Sequence, residues 1–225
     1  VTDDRRLLEL LPADAPQREK LARYGALVLA ANRQFNVTGA KSADDFAPHL
    51  IDSISIAAYV GENLLDIGSG GGLPAIPLAL VTGVPVTLVE TTLKKARFLE
   101  RMLAEFDLRG EVVPLRAEVA AHDERWRGRF HTGTARAVSS APTVAELLLP
   151  FLAVGGSAVM QRGTMDARES QALADAALML GGKLDRIEVL DTDPLRQVAI
   201  VRKLSETNPR FPRRTGIPEK RPLCL

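Results

Sequence analysis

Cysteine is almost missing from this sequence: Cys224 stands alone in 225 residues. That excludes an internal disulfide and any zinc site built on a cysteine cluster. Charge of one sign is lacking as well. Lys and Arg number 29 against 28 Asp and Glu, a net charge of +1. The total therefore favours no class of partner, and the distribution along the chain has to decide. No apolar run approaches the roughly 18 residues of a membrane span. The opening VTDDRRLLELL mixes acids and bases rather than resembling a signal sequence. A cytoplasmic protein with no membrane attachment is expected. What remains is ordinary for a folded chain, 46% hydrophobic and 25% charged, at a length that suits one α/β domain with additions.

The chain is organised around NLLDIGSGGGLP, from Asn63 to Pro74. Leu64, Leu65 and Ile67 form the short apolar run of a buried parallel strand, with Asp66 at its exit. Glycines follow at 68, 70, 71 and 72, and Leu73 to Leu80 resumes a helical pattern in which Pro74 is tolerable only in the first turn. Strand, glycine turn and helix bring bare backbone close to a ligand. Spacing selects the ligand. A dinucleotide loop, G-x-G-x-x-G, needs its third glycine where Leu73 stands, which disfavours a nicotinamide dehydrogenase. The D-x-G-x-G-x-G present instead, Asp66 to Gly72, resembles the first motif of class I S-adenosylmethionine methyltransferases. That resemblance implies that Asp66, Gly68, Gly70 and Gly72 surround the methionine half of the cofactor.

Before this stretch the sequence is helical. A short helix covers Asp3 to Leu11, and a longer one opens near Pro16, with Leu21, Tyr24, Leu27, Val28 and Ala31 at helical spacing. Asn32 to Gly39 breaks the pattern. Ser42 with Asp45 marks a new helix start, and Phe46, Leu50 and Ile54 continue it towards Val60. This region is expected to serve mainly as a structural cap on the sheet.

After the glycine turn, Val86 to Val89 is a second strand ending in Glu90. Glu90 lies 22 residues beyond Gly68, where a carboxylate accepts both hydroxyls of a ribose; a plain surface glutamate is the bland alternative. Thr92 to Phe106 is a helix whose Lys94, Lys95, Arg97 and Arg101 solvation alone explains. A third strand starts at Glu111, and Ala117 with Glu118 follows, flanking either an adenine or an ordinary connection. Phe130 to Val138 is the weakest strand and carries Arg136 near its end. Then come a helix from Thr143 to Leu152, a turn over Ala153 to Gly156, a strand from Ser157 to Gln161 and a helix from Asp166 to Leu180. Leu184 to Leu190 and Gln197 to Lys203 pair as a hairpin through Asp191 to Leu195. This alternation predicts an α/β, Rossmann-like, doubly wound sheet with an antiparallel C-terminal edge strand. The N-terminal helical extension covers 1–60, the core 61–205 and a basic tail 206–225, all in a single domain. The tail sets Arg210, Arg213, Arg214, Lys220 and Arg221 against the single Glu219. Its prolines are expected to hold it extended along an RNA backbone, with a solubilising tail as the alternative.

Together these pieces resemble the bacterial 16S rRNA guanine-N7 methyltransferase family known as RsmG or GidB. The likeness includes Asn36-Val-Thr38, His49-Leu-Ile-Asp-Ser53 and DIGSGGGLPAIPLAL from Asp66 to Leu80. It continues through Glu90, Lys95, Phe98-Leu99, Arg116-Ala-Glu118 and Arg136-Ala-Val138, and closes on FPRRTGIPEKRPL from Phe211 to Leu223. It implies S-adenosylmethionine contacts at Gly68, Leu73, Ala117 and Glu118, with Arg136 beside the active centre, and 16S rRNA or the small ribosomal subunit as partner of a monomeric enzyme. The Asn/Asp-Pro-Pro-aromatic motif of adenine amino-group methyltransferases is absent. Guanine N7 carries a lone pair and no proton, so its methylation needs in-line placement rather than a general base. Arg136 suits phosphate or guanine positioning. Asn36 and His49 either shape the pocket and orient the base or only bond between helices. Two departures stand out. Gln161 occupies a position where many members have lysine, whose role is lost unless Arg162 supplies it. Gly71 stands where alanine or proline is common, an expected harmless change. A methyltransferase of small molecules or protein, and an RNA-binding module without catalysis, are the competing functions.

Overall fold

In the computed structural model, which describes residues 2–136, 139–190 and 193–225, seven strands form one sheet. They are β1 (Leu64–Ile67), β2 (Val86–Val89), β3 (Gly110–Val113), β4 (Phe130–Arg136), β5 (Leu152–Arg162), β6 (Gly182–Leu190) and β7 (Asp193–Lys203). Their order is β3-β2-β1-β4-β5-β7-β6. The strands from β3 to β5 run parallel, and β7 is antiparallel to both β5 and β6. The antiparallel strand is thus the C-terminal one, inserted so that its hairpin partner β6 forms the outer edge. Strand order reverses between β1 and β4, the point at which open α/β sheets hold ligands beyond their carboxyl ends.

Helices cover both faces. On one side lie α1 (Asp3–Leu10), α2 (Arg18–Asn32), α3 (Ala43–Ile54), α4 (Ala75–Thr82) and α5 (Leu93–Glu105), around a core that includes Tyr24, Phe46, Leu64, Leu88 and Phe98. On the other lie α6 (Ala117–Ala120), α7 (Ala141–Leu148) and α8 (Ala167–Met179), with Leu65, Ile67, Val89, Trp126 and Phe151 in the second core. Leu64 and Leu65 face opposite cores, so β1 is apolar at successive positions, as burial on both faces demands.

The strands β1 and β2 fall where the sequence puts them; three other expectations change. The supposed turn at Ala153 to Gly156 lies inside β5. Pairing passes from Phe130 with Leu152 to Thr132 with Ser157, so the extra residues form a bulge rather than ending the strand. The helix through Phe46 stops at Ile54, and a single 3-10 turn over Ala57–Tyr59 completes the path to Val60. The tail is not extended. Phe211 and Leu223 are buried in the second core, a short α9 (Ile217–Lys220) follows Gly216, and Arg127 donates to the carbonyls of Thr207 and Phe211 at 2.8 and 2.9 Å. Apolar anchors and satisfied carbonyls fold the prolines back onto the sheet. The end of the Phe130 strand at Ala137 and Val138, and Asp191 and Thr192 of the hairpin turn, lie outside the described residues. No helix among the described residues is long and apolar enough to cross a membrane.

The helix start at Ser42 is confirmed. Ser42 Oγ accepts from the Asp45 amide at 3.1 Å, and Asp45 Oδ2 accepts from Lys41 N at 3.2 Å. Upstream, Asn32 ties down the loop between α2 and α3. Its Oδ1 accepts from the amides of Val37 and Thr38 at 2.9 and 3.1 Å, and its Nδ2 donates to Ala40 O at 2.9 Å. Asn32→Ala is expected to destabilise the fold by about 1–3 kcal/mol, lowering the thermal midpoint by roughly 2–10 °C. Asn36→Ala, at an exposed position of the same loop, is expected to leave it unchanged; differential scanning calorimetry of both variants checks this.

Candidate active site at the carboxyl ends of the strands

The glycine turn leaves β1 at Ile67 and is held from two sides. Glu90, at the end of β2, accepts from Gly70 N on Oε2 at 2.9 Å, and Tyr24 of α2 donates its hydroxyl to Gly71 O at 2.6 Å. Gly72 shows why the turn needs glycine. Its φ is +97°, and a Cβ there would lie 2.6 Å from Ile76 Cγ1 and 3.0 Å from the Tyr24 hydroxyl. Gly71 is less free than expected, since a Cβ would sit 3.0 Å from Val37 Cγ1.

Glu90 is buried, and its Oε1 accepts from Thr92 N at 2.7 Å. An ionised carboxylate offers about four acceptor positions, so two remain for a ligand's hydroxyls. Asp66 lies in the strand beneath the turn. Its Oδ1 accepts from the Thr134 hydroxyl at 2.8 Å, while Oδ2 is buried with no partner among the described residues. Burial pushes the Asp66 carboxyl up to about 7.

Gly68, Glu90, Ala117 and Glu118 line one cavity of about 250 Å³, so four of the residues singled out in the sequence meet in space. Pro218 and Glu219 of the tail form its far wall. Three contacts dock that wall. Glu118 Oε1 accepts from Gly216 N at 2.9 Å, Thr143 donates to Pro218 O at 3.0 Å, and Arg213 forks onto Glu146 at 2.9 and 2.7 Å. Glu146 is completely buried. Arg213 is therefore a structural cation, correcting its place among residues presented for RNA; Arg210 lies over the Phe211 ring at 4.8 Å, and Arg214, Lys220 and Arg221 are exposed. Leu73 is outside the cavity lining and packs into the first core.

A second cluster adjoins the first. Register pairs Asp66 with Thr134, so two residues further along Arg136 stands level with Gly68. Arg136 also pairs with Gln161 across β4 and β5. Above them Asp52 of α3 accepts from Arg136 Nη1 on Oδ2 at 3.4 Å, and Gln161 Nε2 donates to Asp52 O at 2.6 Å. Asp52 Oδ1 and Gln161 Oε1 are buried and unpartnered among the described residues. Burial lowers the Arg136 guanidinium from its usual range. His49, half-buried one turn earlier on α3, meets Phe46 edge-on at 6.1 Å. Burial first, then Arg136 and Arg196, hold its imidazole below the ordinary value, so it is neutral at pH 7. Arg162 does not replace the missing lysine. It bonds Glu169 at 2.7 Å and the carbonyl of Ser139, bracing the cavity wall. Asn36 joins neither cluster through any side-chain bond among the described residues. Sequence reasoning passed over Tyr24, Asn32 and Asp52. An aspartate beside Ser53 and Leu50 on the inward side of an amphipathic helix was the available signal.

A sheet of this order, with a glycine turn after its first strand and a carboxylate closing its second, defines a class I S-adenosylmethionine-dependent methyltransferase. The solved structure of a SAM-dependent O-methyltransferase from Thermotoga maritima shares the fold at a TM-score of 0.53 and 15% identity, covering 80% of this chain and 72% of that one. The family model of GidB, rRNA small subunit methyltransferase G, matches residues 17–199. The ribosomal RNA small subunit methyltransferase G of Rubrobacter xylanophilus is 37% identical, over 94% of this chain and 85% of its own length. That of Roseiflexus castenholzii is 36% identical over 95% and 94%. The chain belongs to this family.

The donor set fits the cofactor of that class: unspent acceptor positions on Glu90, close-approach glycine backbone, and the orphaned Asp66 Oδ2. Asp66 also generates a pH signature. Its folded carboxyl holds a proton between about pH 4 and 7 that the unfolded chain releases, so its contribution to stability declines as pH rises through that window and is flat above it. Wild-type stability minus that of Asp66→Asn is expected to fall by up to about 1.4 kcal/mol per pH unit there, as measured by urea unfolding at a series of pH values.

Proposed function

We propose that this chain transfers the methyl group of S-adenosylmethionine to N7 of one guanine in 16S rRNA, as a monomer acting in the cytoplasm on the RNA or on the small ribosomal subunit. One observation carries the choice of N7. The Arg136 cluster offers only weak bases: Asp52 Oδ2 accepts from the guanidinium, and His49, neutral at pH 7, is made less basic by burial and by the same guanidinium. Such a site suits a nucleophile with no proton to lose, and N7 is one. Family membership supports the substrate class, because the curated relatives are named as methyltransferases of small-subunit ribosomal RNA.

When bound, the cofactor supplies an electrophilic methyl on a positively charged sulfur. The chain's part is placement. Glu90 accepts the ribose hydroxyls, Ala117 and Glu118 flank the adenine, and Gly68, Gly70, Gly72 and Leu73 shape the turn around the methionine portion, with Asp66 beneath. Arg136 positions the base or its phosphate, and His49 shapes the wall beside it. Asn36, exposed on its loop, and the exposed Arg210, Arg214, Lys220 and Arg221 meet RNA from the rim.

The decisive experiment incubates small subunits from cells lacking this protein with the purified chain and S-adenosylmethionine, then maps N7-methylguanine by borohydride–aniline cleavage. One new cleavage in 16S rRNA is expected. Cofactor binding without transfer to subunits or to free 16S rRNA would overturn the proposal. Glu90→Gln is expected to weaken cofactor binding by roughly 10–100-fold, the worth of charge-assisted bonds, in isothermal titration.

A further inference from the structure

We propose that Asp52 is the base-reading residue: the two oxygens of its carboxylate accept the N1–H and N2–H donors of the target guanine, beside Gln161 Oε1. The inference deepens the guanine-N7 reading and rests on it.

The starting observation is a local failure of hydrogen bonding. Elsewhere the buried carboxylates are satisfied: Glu146 by Arg213, Glu118 by Gly216 N, Glu90 by two amides. The buried side-chain atoms left unpartnered among the described residues are Asp52 Oδ1, Asp66 Oδ2 and Gln161 Oε1. Of these, the Asp52 and Gln161 oxygens are acceptors, so what they call for is donors. The two belong to neighbours, since the Gln161 amide donates to the Asp52 carbonyl at 2.6 Å. The Arg136 contact leaves Asp52 incompletely used, being a single N–H···O at 3.4 Å rather than the fork that Arg213 makes. Asp52 keeps 8% of its side-chain surface exposed and Arg136 14%, so a ligand that draws Arg136 aside reaches the carboxylate.

Base chemistry then selects the ligand. On its Watson–Crick edge guanine presents two adjacent donors, N1–H and N2–H. Adenine and cytosine place an acceptor at the central position, and uracil offers one donor between two acceptors. A pair of acceptors complements guanine alone. N7 lies on the other edge of the purine, so a base gripped here leaves N7 free to face the methyl donor. The grip also acts on rate. N7 takes the methyl, its lone pair becoming the new N–C bond as the S–C bond breaks and its electron pair stays on sulfur, leaving a neutral thioether, and the ring becomes a cation without losing a proton. N1–H grows more acidic as that charge develops, so its bond to a carboxylate is stronger in the transition state than in the ground state. Arg136 alone would oppose the charge, whereas Asp52 offsets it.

The test compares guanosine with inosine at the target position of 16S rRNA assembled into small subunits, using wild type and Asp52→Asn. Inosine lacks only the N2 amine and retains N1–H and N7. Wild type is expected to transfer methyl to inosine roughly 10–100-fold more slowly in single-turnover rate. Asp52→Asn is expected to be slower on guanosine by a similar factor, with the guanosine-to-inosine ratio collapsing towards one and cofactor affinity unchanged. A variant that keeps the wild-type ratio, at whatever absolute rate, overturns the assignment and makes Asp52 a brace for Arg136 or a holder of water. Wild type equally fast on both bases overturns it without recourse to a variant. Wild type transferring nothing to guanosine is a different failure, which removes the guanine-N7 reading and this inference with it.

Discussion

The hydroxyl of Tyr24 donating to Gly71 O, at 2.6 Å inside the first core, is the contact on which the rest of the site depends. It joins the helical extension to the glycine turn at the carboxyl end of β1. Burial raises the phenol far above its usual range, so it remains a donor at every physiological pH. The ring is wedged between Phe46 and Phe106, at 6.3 and 6.4 Å, and Val37 closes on Gly71 from the loop that Asn32 ties down. With Glu90 holding Gly70 N from the opposite side, the turn is fixed before any ligand arrives. Pre-organisation of this kind lowers the ordering cost of binding.

The carboxyl ends of the strands gather acceptors, and the way each is satisfied separates framework from ligand side. Glu90, Glu118 and Glu146 spend their oxygens on backbone amides or on Arg213, holding the turn, the tail and α7 together. Asp52, Asp66 and Gln161 each retain a buried oxygen without a donor. The first group supports the fold, Glu90 with acceptor positions still to spare; the second keeps buried oxygens open to a ligand. Arg136 belongs to both, being desolvated by the fold yet only loosely bound to Asp52.

Much of this was legible in the sequence for local reasons. Residues 64–67 and 86–89 put apolar side chains on both faces, and an acid or a glycine at each exit marks the carboxyl ends, where open α/β sheets hold ligands. Gly68 and Glu90, at strand exits, share one cavity with Ala117 and Glu118 at the start of α6. What escaped was non-local. The arginines of the tail look alike in sequence, but Arg213 finds its carboxylate 67 residues earlier, and no composition rule separates it from Arg214. The bulge that absorbs Ala153 to Gly156 depends on the neighbouring strand β4. Asn36 drew notice as part of a motif while Asn32, four positions before it, does the bonding. Asp52 was visible within a pattern, but its unmatched oxygen exists only once α3 is laid over β5.

The cavity wall formed by Pro218 and Glu219 has a consequence for the order in which the protein becomes competent. Glu118 and Gly216 are 98 residues apart, and the rest of the cavity lining is encoded before β5. A nascent chain that has emerged from the ribosome through β5 already possesses its glycine turn and Glu90, yet its pocket is open on one side. Closure of the cavity therefore waits for the segment beyond β7 to be synthesised and docked, so an enclosed pocket marks a docked tail rather than a folded half.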